Sequence, residues 1–459
     1  MNDRTWSISL TDNSSCKLSI LSELQSEDKE TFLNGLHAIA DIDISKLKND
    51  SRFLLFANRD KIEDKHIFSI ERSQDNNEYG IMTGNIAGFV GVNNVQISIM
   101  SRFAQGEKND FFLHYMLSKV FNINLLNLKH GEEKGSLFDF LVFLFPFFLR
   151  RALKKGLFRA YISYECNDSN IKGQVNVPRY LKNDIPFMGK IAYDKREYST
   201  DNNMTELVRH TIEFIRSGSF AGIIRDGDVS TDVKKVVEVT PAYDRAKREN
   251  VINRNLKPVK HPYYSEWTDL QKICLMILRH NKLNYAEAKD KIYGIVFDVS
   301  WLWEEYLNKV FLERGFSVIH PENKMERGGK NLLKHNNIER YPRYPDYYTS
   351  DNKRVLDAKY KRLKNKSSDD AGWRNDLHQI ITYIFLFGAK RGIFLFPDVS
   401  SDPDVGTELI KEGILNNVDY PVSVEMCSLV IPQNAENYKS FEMMIKKNEE
   451  CFVNCLRTG

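Results

Sequence analysis

Residues 344–361 read YPDYYTSDNKRVLDAKYK, and this stretch decides the fold of the C-terminal third of the chain. "YPDYYTS" and "KRVLDAKYK" are short aromatic and β-branched runs, and Ser350 to Lys353 between them is a cluster of turn formers, so the pattern predicts a hairpin. Asp346 stands on the first strand and Asp357 on the second, and the turn lets their carboxylates converge. Asp357 and Lys359 lie two apart on one strand, so they share a face while Ala358 points into the core.

Working outward, "VSWLWEEYLNKVFLE" (299–313) is an amphipathic helix with Leu302, Tyr306 and Val310 on one side, ended by Gly315. "FSVIHP" (316–321) reads as a strand. "DLHQIITYIFLF" (376–387) reads as a helix closed by Gly388, and "GIFLFP" (392–397) as a strand ended by Pro397. The order is helix, three strands, helix, strand.

That order carries a chemistry. Phosphodiester hydrolysis needs a hard cation to polarise the phosphate and activate water, and Mg²⁺ is held by one or two carboxylates plus carbonyls and waters. Asp346 and Asp357 supply the carboxylates, and the Ala358 carbonyl is a natural extra ligand. Lys359 places an ammonium beside the metal, where it orients the attacking water and steadies developing charge. Mn²⁺ is expected to substitute for Mg²⁺. Gln379 and Tyr383 are four apart on the following helix, hence on one face, and Glu304 on the preceding helix is a further candidate for the same centre. Acidic-x-Lys triplets also occur at Glu63-Asp64-Lys65, Asp232-Val233-Lys234 and Glu287-Ala288-Lys289. None of those follows a Pro-Asp pair, and the last falls in a helical pattern.

The rest of the chain is consistent with a protein of several domains, since 459 residues exceed one ordinary core. The fold class expected is α+β multidomain. Residues 1–105 form a mainly β domain, because 67–103 alternate and are spaced by Gly80, Gly84, Gly88 and Gly91, with turns at Asp75 to Glu78 and at Asn93-Asn94. These glycines suit a projecting hairpin. Residues 106–285 form a mainly helical middle region: apolar residues recur at helical spacing from Asp110 to Leu157, "GQVNVPRYL" (173–181) is strand-like, and a helix ending near Ser217 is capped by Ser199, Thr200 or Asp201. Residues 286–459 form the α/β domain with the acidic hairpin.

The hydrophobic share of 42% is that of a soluble protein, and the apolar run at 137–149 carries Asp139 and Pro146 and is too short to span a bilayer. No secretion signal is legible, so a cytoplasmic protein with no membrane partner is expected. The six cysteines lack a repeated spacing, which argues against a disulfide framework or a zinc site, Cys451 and Cys455 notwithstanding. Net charge is only +3, but residues 321–366 hold thirteen basic against six acidic residues, interleaved with Tyr341, Tyr344, Tyr347, Tyr348 and Tyr360. That is the composition of a phosphate-tracking surface.

Pro345-Asp346 followed by Asp357-Ala358-Lys359 resembles the signature of the PD-(D/E)xK nuclease superfamily, and Gln379 and Tyr383 match the Gln-x-x-x-Tyr element of some branches. Within it, "LWEEY" (302–306), "VLDAKYK" (355–361) and "REYSTDNNMTELVRHTI" (196–212) are similar to McrC, the nuclease subunit of McrBC restriction systems. "VQISIMSRF" (95–103) and "NDFFLHYML" (109–117) look more like its LlaJI-type relatives. The resemblance implies a Mg²⁺-dependent endonuclease acting on double-stranded DNA in phage defence, together with a McrB-like AAA+ GTPase ring that the N-terminal part engages. In keeping with that division, no G-x-x-x-x-G-K-[ST] loop is present, nor a recognisable helix-turn-helix or zinc-finger module. A stand-alone repair or recombination nuclease of the same fold, and a non-catalytic DNA-binding scaffold, are the alternatives.

Overall fold

The computed structural model describes residues 6–18, 24–47, 53–57, 66–72, 79–92, 95–106, 110–121, 137–218, 220–225, 227–259, 261–283, 293–321, 328–336, 338–351, 353–362, 371–399, 409–415 and 421–458. The architecture is α+β, in two units: Met1–Lys48, Leu55–Glu133 and Asp290–Gly459 form the first, Asn49–Leu54 and Lys134–Lys289 the second. The sequence pattern suggests three consecutive blocks. The fold instead gathers the two ends of the chain into one unit and leaves the middle as the other.

The reason lies in a strand. Tyr293–Asp298 joins a five-stranded sheet in the order Trp6–Thr11, Val95–Met100, Ile86–Val92, Tyr293–Asp298, Phe53–Phe56. Ile295, Val296 and Phe297 are buried there, so a short apolar run about two hundred residues downstream completes the N-terminal core. Gly88 and Gly91 therefore sit inside a paired strand and not on the projecting hairpin their spacing suggests. Close backbone approach is what requires glycine: at Gly88, with φ +138°, a Cβ would stand 2.2 Å from the Ile295 carbonyl oxygen. The expected turns at Asp75 to Glu78 and Asn93-Asn94 lie outside the described residues.

A second sheet of six strands runs Val318–Ile319, Tyr347–Thr349, Arg354–Ala358, Arg391–Asp398, Ser423–Val430, Leu409–Ile414. Its central three strands are parallel, and the hairpin of Tyr347–Thr349 on Arg354–Ala358 is antiparallel, with Tyr347 opposite Leu356. The helix Ala371–Phe387 lies over one face, where Ile380, Ile384 and Phe387 meet Val355, Phe394 and Phe396. It begins before Asp376, and Pro397 falls within its strand. The helix Val299–Glu313 starts at an Asp298 cap and stops, as its sequence predicts, at Gly315, whose φ is +64°. Trp303 on this helix donates its ring N–H to the Leu395 carbonyl (3.3 Å). A buried carboxylate then locks three helices: Glu449 on Tyr438–Thr458 accepts from Tyr115 on Phe111–Phe121 (3.0 Å) and from Tyr306 (2.8 Å), and pairs with Lys119 (3.0 Å).

The second unit is helical around a small sheet, Ala160–Asp168 beside Ile191–Ser199 beside Gln174–Val175. "GQVNVPRYL" is strand only at Gln174–Val175, because Asn176 caps a helix over Val177–Asn183 that opens with Pro178. Helix Asn203–Arg216 ends where expected, but its cap is Asn202, which alone reaches the Met204 and Thr205 N–H groups. Helix Leu137–Leu153 is buried along Leu141 to Phe145, and no helix among the described residues is long and apolar enough to cross a membrane.

Gly88→Ala is expected to lower the unfolding free energy of the unit by at least about 2 kcal/mol, since both the φ and the Ile295 carbonyl exclude a Cβ. An unchanged urea midpoint would contradict this account of the sheet.

Candidate active site

Asp346, Asp357 and Lys359 come together at the end of the Arg354–Ala358 strand. Parallel pairing to Arg391–Asp398 buries that strand, and with it Asp357, which is 1% exposed. Asp346 precedes the neighbouring strand, and its Oδ2 accepts the Ala358 N–H at 2.7 Å. That bond spans the mouth of the hairpin and fixes one carboxylate beside the other. His320 adds a second brace, its Nδ1 lying 2.6 Å from the Asp346 carbonyl oxygen and its ring stacked on Tyr347. Burial works against a charge on His320, yet the Glu305 carboxylate and the Asp346 carbonyl hold its pKa above the usual histidine range.

Lys359 compensates the negative charge. Its ammonium stands 2.8 Å from Asp357 Oδ2, 3.3 Å from Asp376 Oδ1, and donates to Gln379 Oε1 at 2.9 Å. Gln379 in turn donates to the Tyr383 hydroxyl at 2.9 Å. Gln379 and Tyr383 thus join the centre as expected. Asp376 was not anticipated, although it lies on the same helical face, three residues before Gln379; a search for the i, i+3, i+7 pattern would have found it. It also pairs with Lys361 at 2.7 Å. Glu304 reaches this corner through its main chain: its carbonyl accepts the Tyr347 hydroxyl, and its carboxylate helps, after burial, to raise the Tyr347 pKa.

The electrostatics are those of two carboxylates short of positive charge. Burial first, then the neighbouring Asp346, pushes the Asp357 carboxyl up to about 7 despite Lys359. The carboxylates Asp357 and Asp346 outweigh burial at Lys359 and hold its pKa above the usual lysine range. Burial pushes Tyr383 up to about 12. Asp357 is buried beside Asp346 and its carboxyl stays raised even with Lys359 2.8 Å from its Oδ2, so a further cation fits here. Among the described residues no three His, Cys, Asp or Glu side chains gather to hold a metal alone. A cation at Asp346 and Asp357 would complete its shell with main-chain oxygen and water, as Mg²⁺ does.

A second layer ties the centre to the N-terminal sheet. Tyr360, next to Lys359, is buried with its ring 5.2 Å from that of Phe103, under the Arg102 guanidinium. Arg102 donates to the Tyr360 carbonyl (3.1 Å) and to Asn85 (2.6 Å), and pairs with buried Asp12 (2.7 Å).

The family model of the McrBC 5-methylcytosine restriction system component matches residues 81–397. The chain belongs to that family. A chain of the refined half-complex from the tetradecameric assembly of Thermococcus gammatolerans McrB AAA+ hexamers with bound McrC shares its fold, with a TM-score of 0.52 and 14% identity over 98% of this chain and 100% of that one. A chain of the T. gammatolerans McrBC complex aligns with a TM-score of 0.34 and 13% identity, over 69% of this chain and 90% of that one. No curated protein matches the chain.

The Asp357 shift has a signed consequence for the metal-free protein. A carboxyl whose folded pKa is raised binds more protons folded than unfolded between about 4 and 7, so stability falls as pH rises through that window. Relative to Asp357→Asn, the wild-type protein in chelator is expected to lose melting temperature between pH 4 and pH 8. A gap that stays flat with pH would contradict the burial of Asp357 beside Asp346.

Proposed function

We propose that the chain is the McrC-like nuclease subunit of a restriction system, hydrolysing phosphodiester bonds of double-stranded DNA with Mg²⁺ at Asp346 and Asp357. The observation that carries this reading is the buried Asp357 carboxylate with half-buried Asp346 just before the neighbouring strand and the Lys359 ammonium 2.8 Å from Asp357, at the end of the Arg354–Ala358 strand in a chain from a restriction-system family. The closeness of Asp346, Asp357 and Lys359 supports reading the site as a PD-(D/E)xK centre.

Asp346, Asp357 and the Ala358 carbonyl are the groups that would hold the ion. Bound there, Mg²⁺ supplies Lewis-acid polarisation of the phosphate and a water of lowered pKa. The remaining work falls to the protein. Lys359, fixed by Asp357, Asp376 and Gln379, orients the attacking water and offers positive charge to the pentavalent phosphate. Gln379 and Tyr383 hold the ammonium in one direction, so it is pre-organised before DNA arrives. Ala358 N–H keeps Asp346 in place, and Tyr347 steadies the strand through the Glu304 carbonyl.

A McrB-like AAA+ GTPase ring is the proposed partner, following the T. gammatolerans assembly. The reading is supported by the lack of any nucleotide-binding loop in this chain. The second unit also exposes apolar side chains that a partner could cover, among them Tyr161, Phe187 and Met188 at 68, 60 and 82%.

The experiment is cleavage of methylated and unmethylated duplex DNA by the full chain with its cognate AAA+ partner and nucleotide. Mg²⁺ or Mn²⁺ is expected to support cutting and Ca²⁺ to bind without turnover. Asp357→Ala or Lys359→Ala should reduce cleavage at least about 100-fold while the complex still assembles. Undiminished cutting by either folded variant, or full activity in excess chelator, would contradict the proposal.

A further inference from the structure

Part of the basic excess around the site, Lys330, Lys334, Arg340 and Arg343 against Glu339, lies on one element whose role the hydrolytic centre leaves unexplained. Between the strands Val318–Ile319 and Tyr347–Thr349 the chain forms a separate two-stranded antiparallel ribbon, Lys330–His335 paired with Ile338–Arg343. Apart from half-buried Asn331, the described residues of both strands are exposed. A ribbon of this length reaches about 20 Å.

Its base is fastened and its body is bare. Gly329 enters the first strand directly beneath the Tyr344 ring, so close that a Cβ would lie 2.3 Å from it, and Tyr344 directly follows the second strand. Lys330 Nζ sits 4.7 Å from the centre of the Phe387 ring, which packs on Tyr348. Arg343 stands opposite Lys330 at this base, and beyond it the ribbon carries Lys334 and Arg340 against a single acid, Glu339, whose carboxylate accepts from Asn331 at 2.6 Å. Leu333, Ile338 and Tyr341 are each more than half exposed. An element with no core face of its own, strongly positive and dotted with apolar side chains, is poorly explained as part of the fold.

Position gives the occupant. Arg343 precedes Asp346 by three residues, a span of at most about 11 Å. The ribbon therefore springs from the acidic pair itself. A two-stranded β-ribbon matches the width of the DNA major groove, basic side chains on it reach flanking phosphates, and apolar ones meet thymine methyls.

We propose that the ribbon 330–343 is a DNA-docking arm that enters the major groove and lays the adjoining phosphodiester against Asp346 and Asp357. This rests on the nuclease reading of that centre. The charge favours DNA over a protein partner as the occupant.

The test uses the full chain carrying Asp357→Ala, so that duplex stays intact, and measures binding of a short duplex by fluorescence anisotropy across salt concentration. Adding Lys334→Ala and Arg340→Ala is expected to weaken binding about tenfold or more and to lower the slope of log Kd against log salt by about two. Lys439→Ala with Lys447→Ala, on the exposed face of the last helix, is the control and should change neither. Affinity and slope unaltered by the ribbon changes would overturn the docking arm while leaving the nuclease reading standing. Loss of association with the AAA+ partner with duplex binding intact would make the ribbon a protein-docking surface and overturn it equally. Failure of the Asp357→Ala chain to bind duplex at all, together with no cleavage by the wild-type complex, would remove both.

Discussion

Two carboxylates cannot share a buried corner unless a cation shares it with them. At the end of the Arg354–Ala358 strand that cation is the Lys359 ammonium, within reach of Asp357, Asp376 and Gln379 at once. Much of the surrounding geometry serves this arrangement. The hairpin brings Asp346 across, the helix Ala371–Phe387 brings Asp376, Gln379 and Tyr383 from above, and close passage over Gly392 sets that helix near the strand. A Cβ at Gly392 would come within 2.6 Å of the Ile384 side chain. Asp376 is shared with Lys361, and burial together with Asp346 raises the Asp357 pKa despite Lys359, which leaves a deficit of positive charge at the acidic pair. The same deficit is what a divalent ion would fill.

The centre also depends on chain far from it in sequence. Arg102 grips Asp12 and Asn85 with one side of its guanidinium and the Tyr360 carbonyl with the other. Burial pushes Asp12 up, and Arg102 pulls it back toward the charged form that the ion pair needs. Tyr360 follows Lys359 directly, so these contacts from Arg102 and Phe103 fasten the chain just after the acidic strand. This explains why the first and last parts of the chain form one unit, and why a boundary near residue 286 separates a strand from the sheet it completes.

What was legible in the sequence, and what was not, follows from the range of the forces involved. Helix Val299–Glu313 could be read to the residue because its apolar stripe and terminating glycine are local. Asp346, Asp357, Lys359, Gln379 and Tyr383 were legible because strand alternation and helical spacing translate directly into shared faces. The ribbon at 330–343 was seen only as charge: its pairing has no apolar pattern to announce it. Gly88 and Gly91 looked like a projecting hairpin because the reason for them, the Tyr293–Asp298 strand, lies some two hundred residues downstream. Asn202 was passed over among several good capping residues, since only the folded loop shows which one points at the helix.

The central claim is that Asp346 and Asp357 jointly hold a divalent cation in the full chain. The most direct measurement is Mn²⁺ binding by electron paramagnetic resonance on the intact protein. A bound-Mn²⁺ signal that is lost in both Asp346→Asn and Asp357→Asn, with the fold retained, is the result this account predicts. A bound signal that persists unchanged in both variants, or no bound Mn²⁺ in the wild-type chain, would contradict it.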